Sequence, residues 1–144
     1  MTGVQTCALP ISEWPTLFEE GCRAAERTGD LAALAILNAH YSAVRGLNQG
    51  SADDYVRYAS AAVRIADRTT DTALRCATRA YLGFAHLYTG ELLDAERIAD
   101  ELIALAADDP DLGAGVAGFS PLLAAKHARV YSIGFAREIG RAHV

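Results

Sequence analysis

Apolar residues recur three and four positions apart along most of the chain, the period of helices with one buried side. From Trp14 to Thr28, Leu17, Phe18, Cys22, Ala25 and Ala24 form one stripe, and Glu19, Glu20, Arg23, Glu26 and Arg27 fall opposite. Ser12 is expected to cap this helix, Pro15 fits its first turn, and Gly29 ends it. Asp30 caps a second helix over about Leu31–Asn48. Its apolar residues Ala33, Leu34, Leu37, Tyr41, Val44 and Leu47 point more than one way, which predicts an inner helix covered by neighbours. Gln49-Gly50 closes it. Ser51 caps a third helix, with Asp54 three residues on as a shortened capping box. Here Ala52, Tyr55, Ala59, Ala62, Val63 and Ala66 share a face, and Asp53–Arg57 reads as a favourable pair one turn apart.

Asp71 caps a fourth helix that runs to Thr89-Gly90 and carries Leu74, Ala77, Tyr81, Leu82, Phe84, Ala85, Leu87 and Tyr88. A fifth, about Glu91–Ala107, turns Leu92, Ala95, Ala99, Leu102, Ile103 and Ala106 inward, and Asp108-Asp109-Pro110 stops it because proline disfavours helix before itself. The segment after it is apolar but broken by Gly113, Gly115 and Gly118. Ser120-Pro121 predicts a break followed by a last helix from Pro121 to about Phe135.

The punctuation repeats. The aspartates Asp30, Asp71 and Asp111 are 41 and 40 residues apart, and the pairs Gly50/Gly90 and Tyr41/Tyr81 are each 40 apart. A fixed period of this size predicts helix pairs that cover each other's apolar faces. The stretch Thr78–Pro110, helix then glycine turn then helix then Asp-Pro stop, is the clearest copy and the one around which the chain is organised. Its Leu82-Gly83, Gly90, Ala95, Ala99 and Pro110 resemble a tetratricopeptide (TPR) repeat, in which small residues let the two helices pack closely. The Asp30–Thr69 copy has Ala43 where Gly83 stands, and Pro110 lies about three residues later than the family pattern has it. The longer period is similar to the TPR-like arrays of large bacterial signalling ATPases, the LuxR-type regulators and those linked to adenylate/guanylate cyclases. The GFSP run at Gly118–Pro121 resembles a segment of the latter. The resemblance implies an all-α fold of antiparallel helix pairs stacked as a right-handed solenoid slice, with Gly83 at a helix–helix contact.

Composition narrows the function. A net charge of −5 with both signs mixed lacks the basic stripe of a nucleic-acid footprint. The 51% hydrophobic content, much of it alanine, permits a sizeable core and excludes the composition of a disordered chain. No apolar run approaches the ~18 residues of a membrane span. Cys7, Cys22 and Cys76 form no CxxC pair, which reads as reduced thiols in a cytoplasmic protein.

The two ends differ from the rest. Thr6–Ile11 and Glu138–Val144 back-translate to the complementary strands of one oligonucleotide that resembles a sequencing adapter. Residues 1–12 and 138–144 are therefore expected to be non-native tails, and 13–137 the helical-repeat segment, cut from a longer protein.

Candidate chemistry is sparse. GAGVAG at Gly113–Gly118 lacks the Lys-Ser/Thr of a phosphate loop. His40, His86 and His127 come one per hairpin without a metal-ligand partner a turn away, and read as half-buried or groove-lining. Asp108, Asp109 and Asp111 lack calcium-loop spacing, and Ser120 lacks a nucleophile context. No catalytic residue, metal site or cofactor is expected. In a TPR-like stack the first helix of each pair lines the concave surface, which makes Tyr41, Arg45 and Tyr88 the groove candidates; core packing is the alternative for Tyr41 and Tyr81. The expectation is a non-catalytic interaction or regulatory segment of a larger signalling ATPase, cyclase or transcription regulator. It would bind a protein or peptide partner, or other domains of its parent chain, and neither nucleic acid nor membrane. An accessory helical fragment of an enzyme and a small-molecule sensor with a closed apolar pocket are the alternatives.

Overall fold

Local stop and start signals set the element boundaries. A computed structural model describes residues 13–142, with side chains described to residue 135. The elements are α1 (Trp14–Thr28), α2 (Leu31–Ala43) running into a π-helical turn (Val44–Asn48), α3 (Ala52–Ala66), α4 (Thr72–Thr89), α5 (Leu92–Ala106), a one-turn α6 (Ala114–Ala117) and α7 (Pro121–Ala142). Among the described residues there is no strand, so the chain is all-helical. No described helix is long and apolar enough to cross a membrane. Ser12, expected as the first cap, and the rest of 1–12 with Cys7 lie outside the described residues. Cys22 and Cys76 are free thiols.

Two of the three repeated aspartates cap as expected, whereas Asp111 does not, because α6 starts from Gly113 with no side-chain cap bond. Asp30 Oδ1 accepts from the Ala33 N–H at 2.9 Å and Asp71 Oδ1 from the Leu74 N–H at 3.0 Å. Gly29 and Gly90 end α1 and α4 in the left-handed conformation. The capping box at α3 does not form. The Ser51 side chain makes no cap bond, its N–H is already donated to the Arg45 carbonyl at 3.0 Å, and Asp54 is drawn to two arginines instead. The Asp53–Arg57 pair is likewise replaced by Asp54–Arg57. Asp71→Ala is therefore expected to cost about 1 kcal/mol, whereas Ser51→Ala stays within about 0.5 kcal/mol; paired thermal melts check the contrast.

Packing centres on α4. It contacts α2, α3, α5, α6 and α7, while α2 also packs on α1 and α3, and α5 on α7. The core runs past it in three patches. Ala35, Ala66 and Leu74 join α2, α3 and α4. Tyr55, Ala59, Leu82, Ala85 and Ile98 join α3, α4 and α5. Cys76, Ala80, Ala99, Leu102, Leu122 and Ala125 join α4, α5 and α7. So many alanines at contacts bring helix axes close, and the close approach has consequences for glycine. Gly83 does face α5, but a Cβ there would meet only Ile98 Cγ2, at an ordinary 3.7 Å. The most crowded glycine is Gly46, in the π-helical turn, against the buried Tyr55 ring; Gly113, next, faces the Ala73 carbonyl of α4.

The C-terminal third breaks where expected. Ser120 Oγ donates to the Pro110 carbonyl at 2.6 Å and accepts weakly from the Leu123 N–H at 3.4 Å, so one hydroxyl ties the exit of α5 to the start of α7. The last helix runs beyond Phe135, its expected end, because nothing in Ala136–Ala142 except Gly140 opposes helix.

Candidate functional site

Tyr41 and Arg45 lie one turn apart in sequence, and the fold uses both for packing. The Tyr41 ring stacks on Phe18 of α1, centroids 4.0 Å apart and planes 6° apart. Tyr58 of α3 meets both rings edge-on, at 4.9 and 5.4 Å. Tyr41 is 8% exposed, and burial, with Tyr58 beside it, pushes its phenol up. One edge of it still reaches an apolar hollow of about 230 Å³ between α1 and α2, lined also by Trp14, Leu17, Leu37 and Val44. Arg45 bonds Asp54 through Nε at 2.7 Å and also reaches Gln49. Arg57 takes the other Asp54 oxygen and lays its guanidinium 4.3 Å from the Tyr58 centroid. The bonds from Arg57 and Arg45 hold the Asp54 carboxyl below the usual carboxylate range.

A second charged joint went unmarked in the sequence. Arg79, 8% exposed in the middle of α4, donates to both Asp67 oxygens at 2.9 and 3.1 Å and to Glu101 at 3.3 Å. It pins the α3–α4 turn to α5. The Arg79 bonds lower the Asp67 carboxyl as well. A carboxylate lowered in the folded state stabilises it above the unfolded value, near pH 3.9, and that stabilisation is lost as pH falls through the folded value. Melting temperature should therefore drop between pH 5 and pH 3, by less in Asp67→Asn than in the wild type; equal drops would remove Asp67 from the account.

Tyr88 is placed differently. It is 70% exposed near the end of α4. On one side is Tyr55, at 6.0 Å, a phenol whose burial pushes it up to about 12. On the other, Phe84, Leu87 and Tyr88 of α4 face His127 and Tyr131 of α7 across an open groove of about 500 Å³. The aromatic row continues along α7, with His127–Tyr131 centroids at 5.8 Å and Tyr131–Phe135 at 4.8 Å. At the other side of Phe84, Phe119 and Tyr81 carry ring contacts towards His40 of α2.

Of the three groove candidates, Tyr41 and Arg45 come together in packing around α1–α3, and Tyr88 opens onto the α4/α7 groove. The residues that complete this groove, Phe84, His127 and Tyr131, were not singled out by sequence as a set. Their signal was present: Phe84/Tyr88 and His127/Tyr131/Phe135 are aromatic at four-residue spacing, one ladder on each helix. The three histidines separate as well. His40 is exposed, His86 is buried with Nδ1 2.6 Å from Glu91 Oε2, and His127 lines the groove. Among the described residues no group of three or more His, Cys, Asp or Glu could hold a metal ion. Comparison with protein-family models, curated proteins and solved structures finds no match.

Proposed function

We propose that the chain is a non-catalytic interaction segment, built of TPR-like antiparallel helix pairs stacked as a solenoid slice, that binds a protein or peptide in the groove between α4 and α7. One observation carries it: Tyr88 stands 70% exposed on α4, opposite His127 and Tyr131 of α7, across open space. A large ring left in water at a concave site is the usual anchor of a protein contact. The stacking is supported by the roughly 40-residue period of caps and turns and by the packing of α2 on α4 and of α4 on α7, alternate members of the series of long helices once the one-turn α6 is set aside. A place in a larger cytoplasmic signalling protein of the cyclase-linked or LuxR-type class rests on the TPR-like and GFSP resemblances, and sequencing the gene together with its flanking regions tests it.

The binding is tested by panning a random peptide library on the folded chain. Enriched peptides are expected to bind at least ten-fold more weakly to Tyr88→Ala, and unchanged to Arg64→Ala on the outer face of α3. Peptides indifferent to Tyr88 would place the interaction elsewhere and end this assignment of the groove.

A further inference from the structure

The two ends of the helix packing carry faces that complement each other. α1 packs on α2, α2 on α4 and α4 on α7, so α1 and α7 stand at opposite ends of the series. On α7, Leu123 and Val130 are 61% and 74% exposed. They lie two turns apart on one side of the helix, about 10 Å along its axis, with exposed Lys126 between them. Neither lines the α4/α7 groove, so this ridge is separate from the binding function proposed above. At the other end lies the hollow of about 230 Å³ between α1 and α2, walled mainly by Trp14, Leu17 and Phe18 of α1 and by Leu37, Tyr41 and Val44 of α2. From Leu37 to Val44 it also follows its helix for two turns. Leu17 at its rim is 44% exposed, and Glu13 and Glu20, a turn to either side of Leu17, are exposed as well. Apolar patches of this kind, left open and rimmed by charge, mark surfaces that associate.

The charges decide which surfaces meet. Pro121–Phe135 holds Lys126 and Arg129 and no acidic residue, whereas α1 and its cap hold Glu13, Glu19, Glu20 and Glu26 against Arg23 and Arg27. Arg129 is paired with Asp100 of α5 at 3.1 Å, which leaves Lys126 to meet the α1 glutamates. Pairing α7 with α7 would instead bring ridge against ridge and lysine towards lysine. Every copy of the chain carries both the basic ridge and the acidic-rimmed hollow, so a second copy supplies what each face lacks.

We propose that the chain associates with itself end to end, the Leu123–Val130 ridge of α7 in one copy seated in the α1/α2 hollow of the next. The two surfaces differ, so the contact is heterologous, and each pair keeps one ridge and one hollow free for further copies.

Sedimentation velocity on the full chain, from micromolar to millimolar concentration, tests this. The wild type is expected to grow past two copies. Val130→Glu alone and Leu17→Glu alone are each expected to stay monomeric. An equal mixture of the two is expected to form a dimer and stop there, because one intact ridge and one intact hollow survive. Tyr88→Ala should associate as the wild type does, which separates this contact from peptide binding in the α4/α7 groove. Both replaced side chains are exposed, and unchanged melting curves confirm that the variants fold. A wild type that stays monomeric, a mixture that does not dimerise, or association indifferent to Val130→Glu would each overturn the proposal. A wild type that stops at two copies and still pairs in Leu17→Glu would mean α7 against α7, and would overturn it too. Growth past two copies already excludes that pairing, so the test stands even if Leu17→Glu melts early.

Discussion

Gly46→Ala is expected to destabilise the folded chain by about 1–3 kcal/mol, the opposite of the usual result for a glycine in a helical segment. In an open helix, alanine stabilises by up to about 1 kcal/mol over glycine. At Gly46 the added Cβ would strike the Tyr55 ring and lie 2.7 Å from Tyr55 Cβ. That second contact decides the sign, because a ring can turn but a Cβ moves only with its backbone. Tyr55 is 3% exposed and packed with Ala59, Leu82, Ala85 and Ile98, so it has nowhere to go. Gly83→Ala is the matched control. Its new methyl would touch only Ile98 Cγ2, at 3.7 Å, so the substitution should be neutral or stabilising. Urea unfolding of the two variants in parallel measures the difference. A Gly46→Ala variant as stable as Gly83→Ala would mean that α3 is not seated where Tyr55 places it.

Arg79→Leu is expected to cost about 2–3 kcal/mol. Removing one member of a buried ion pair typically costs about 3–5 kcal/mol, because the partner is left charged and dry. Here the partners are not dry. The Asp67 and Glu101 side chains are 38% and 39% exposed against 9% for Arg79, so water takes over part of what the guanidinium supplied. Burial opposes the charge on Arg79, yet the bonds to Asp67 and Glu101 outweigh it and leave its pKa raised. Arg79→Lys should recover only part of the loss, since an ammonium lacks the planar fork that holds one carboxylate in the α3–α4 turn and another on α5. Hydrogen exchange gives the local readout: amides of the α3–α4 turn and the middle of α5 should open more readily in Arg79→Leu. A variant of wild-type stability would mean that leucine packing replaces the joint in full, as apolar residues do in some buried ion pairs.

Both effects depend on contacts between helices, and such contacts were the part of the fold hardest to see in advance. The boundaries of α1 and α4 were legible to the residue because Gly29, Asp71 and Gly90 act on their immediate neighbours. The end of α2 was legible only in outline. Its last turn was expected to be ordinary helix, and it is π-helical beside the Tyr55 ring, a neighbour nine residues on. The Ser51–Asp54 box failed for a related reason. Its spacing was right, but Arg45 and Arg57 compete for Asp54 and offer full charges where the backbone offers one N–H. In the site, Tyr41 and Tyr88 were both groove candidates, on α2 and α4, with core packing offered as the alternative only for Tyr41. Phe18 and Tyr58 cover one and nothing comparable covers the other.

The sequence by itself determined the long helices, the caps at Asp30 and Asp71, the glycine turns, and the spacing of about 40 residues at which these signals recur. These depend on hydrogen bonds and backbone angles within a few residues, and local chemistry decides them. The tertiary structure alone decided which glycine is under a ring, that Arg79 ties the α3–α4 turn to α5, and that Tyr88 faces His127 and Tyr131 across a groove. Each needs the position of a helix distant in the chain, and in an alanine-rich core a small shift or rotation of one helix against another changes which side chains meet.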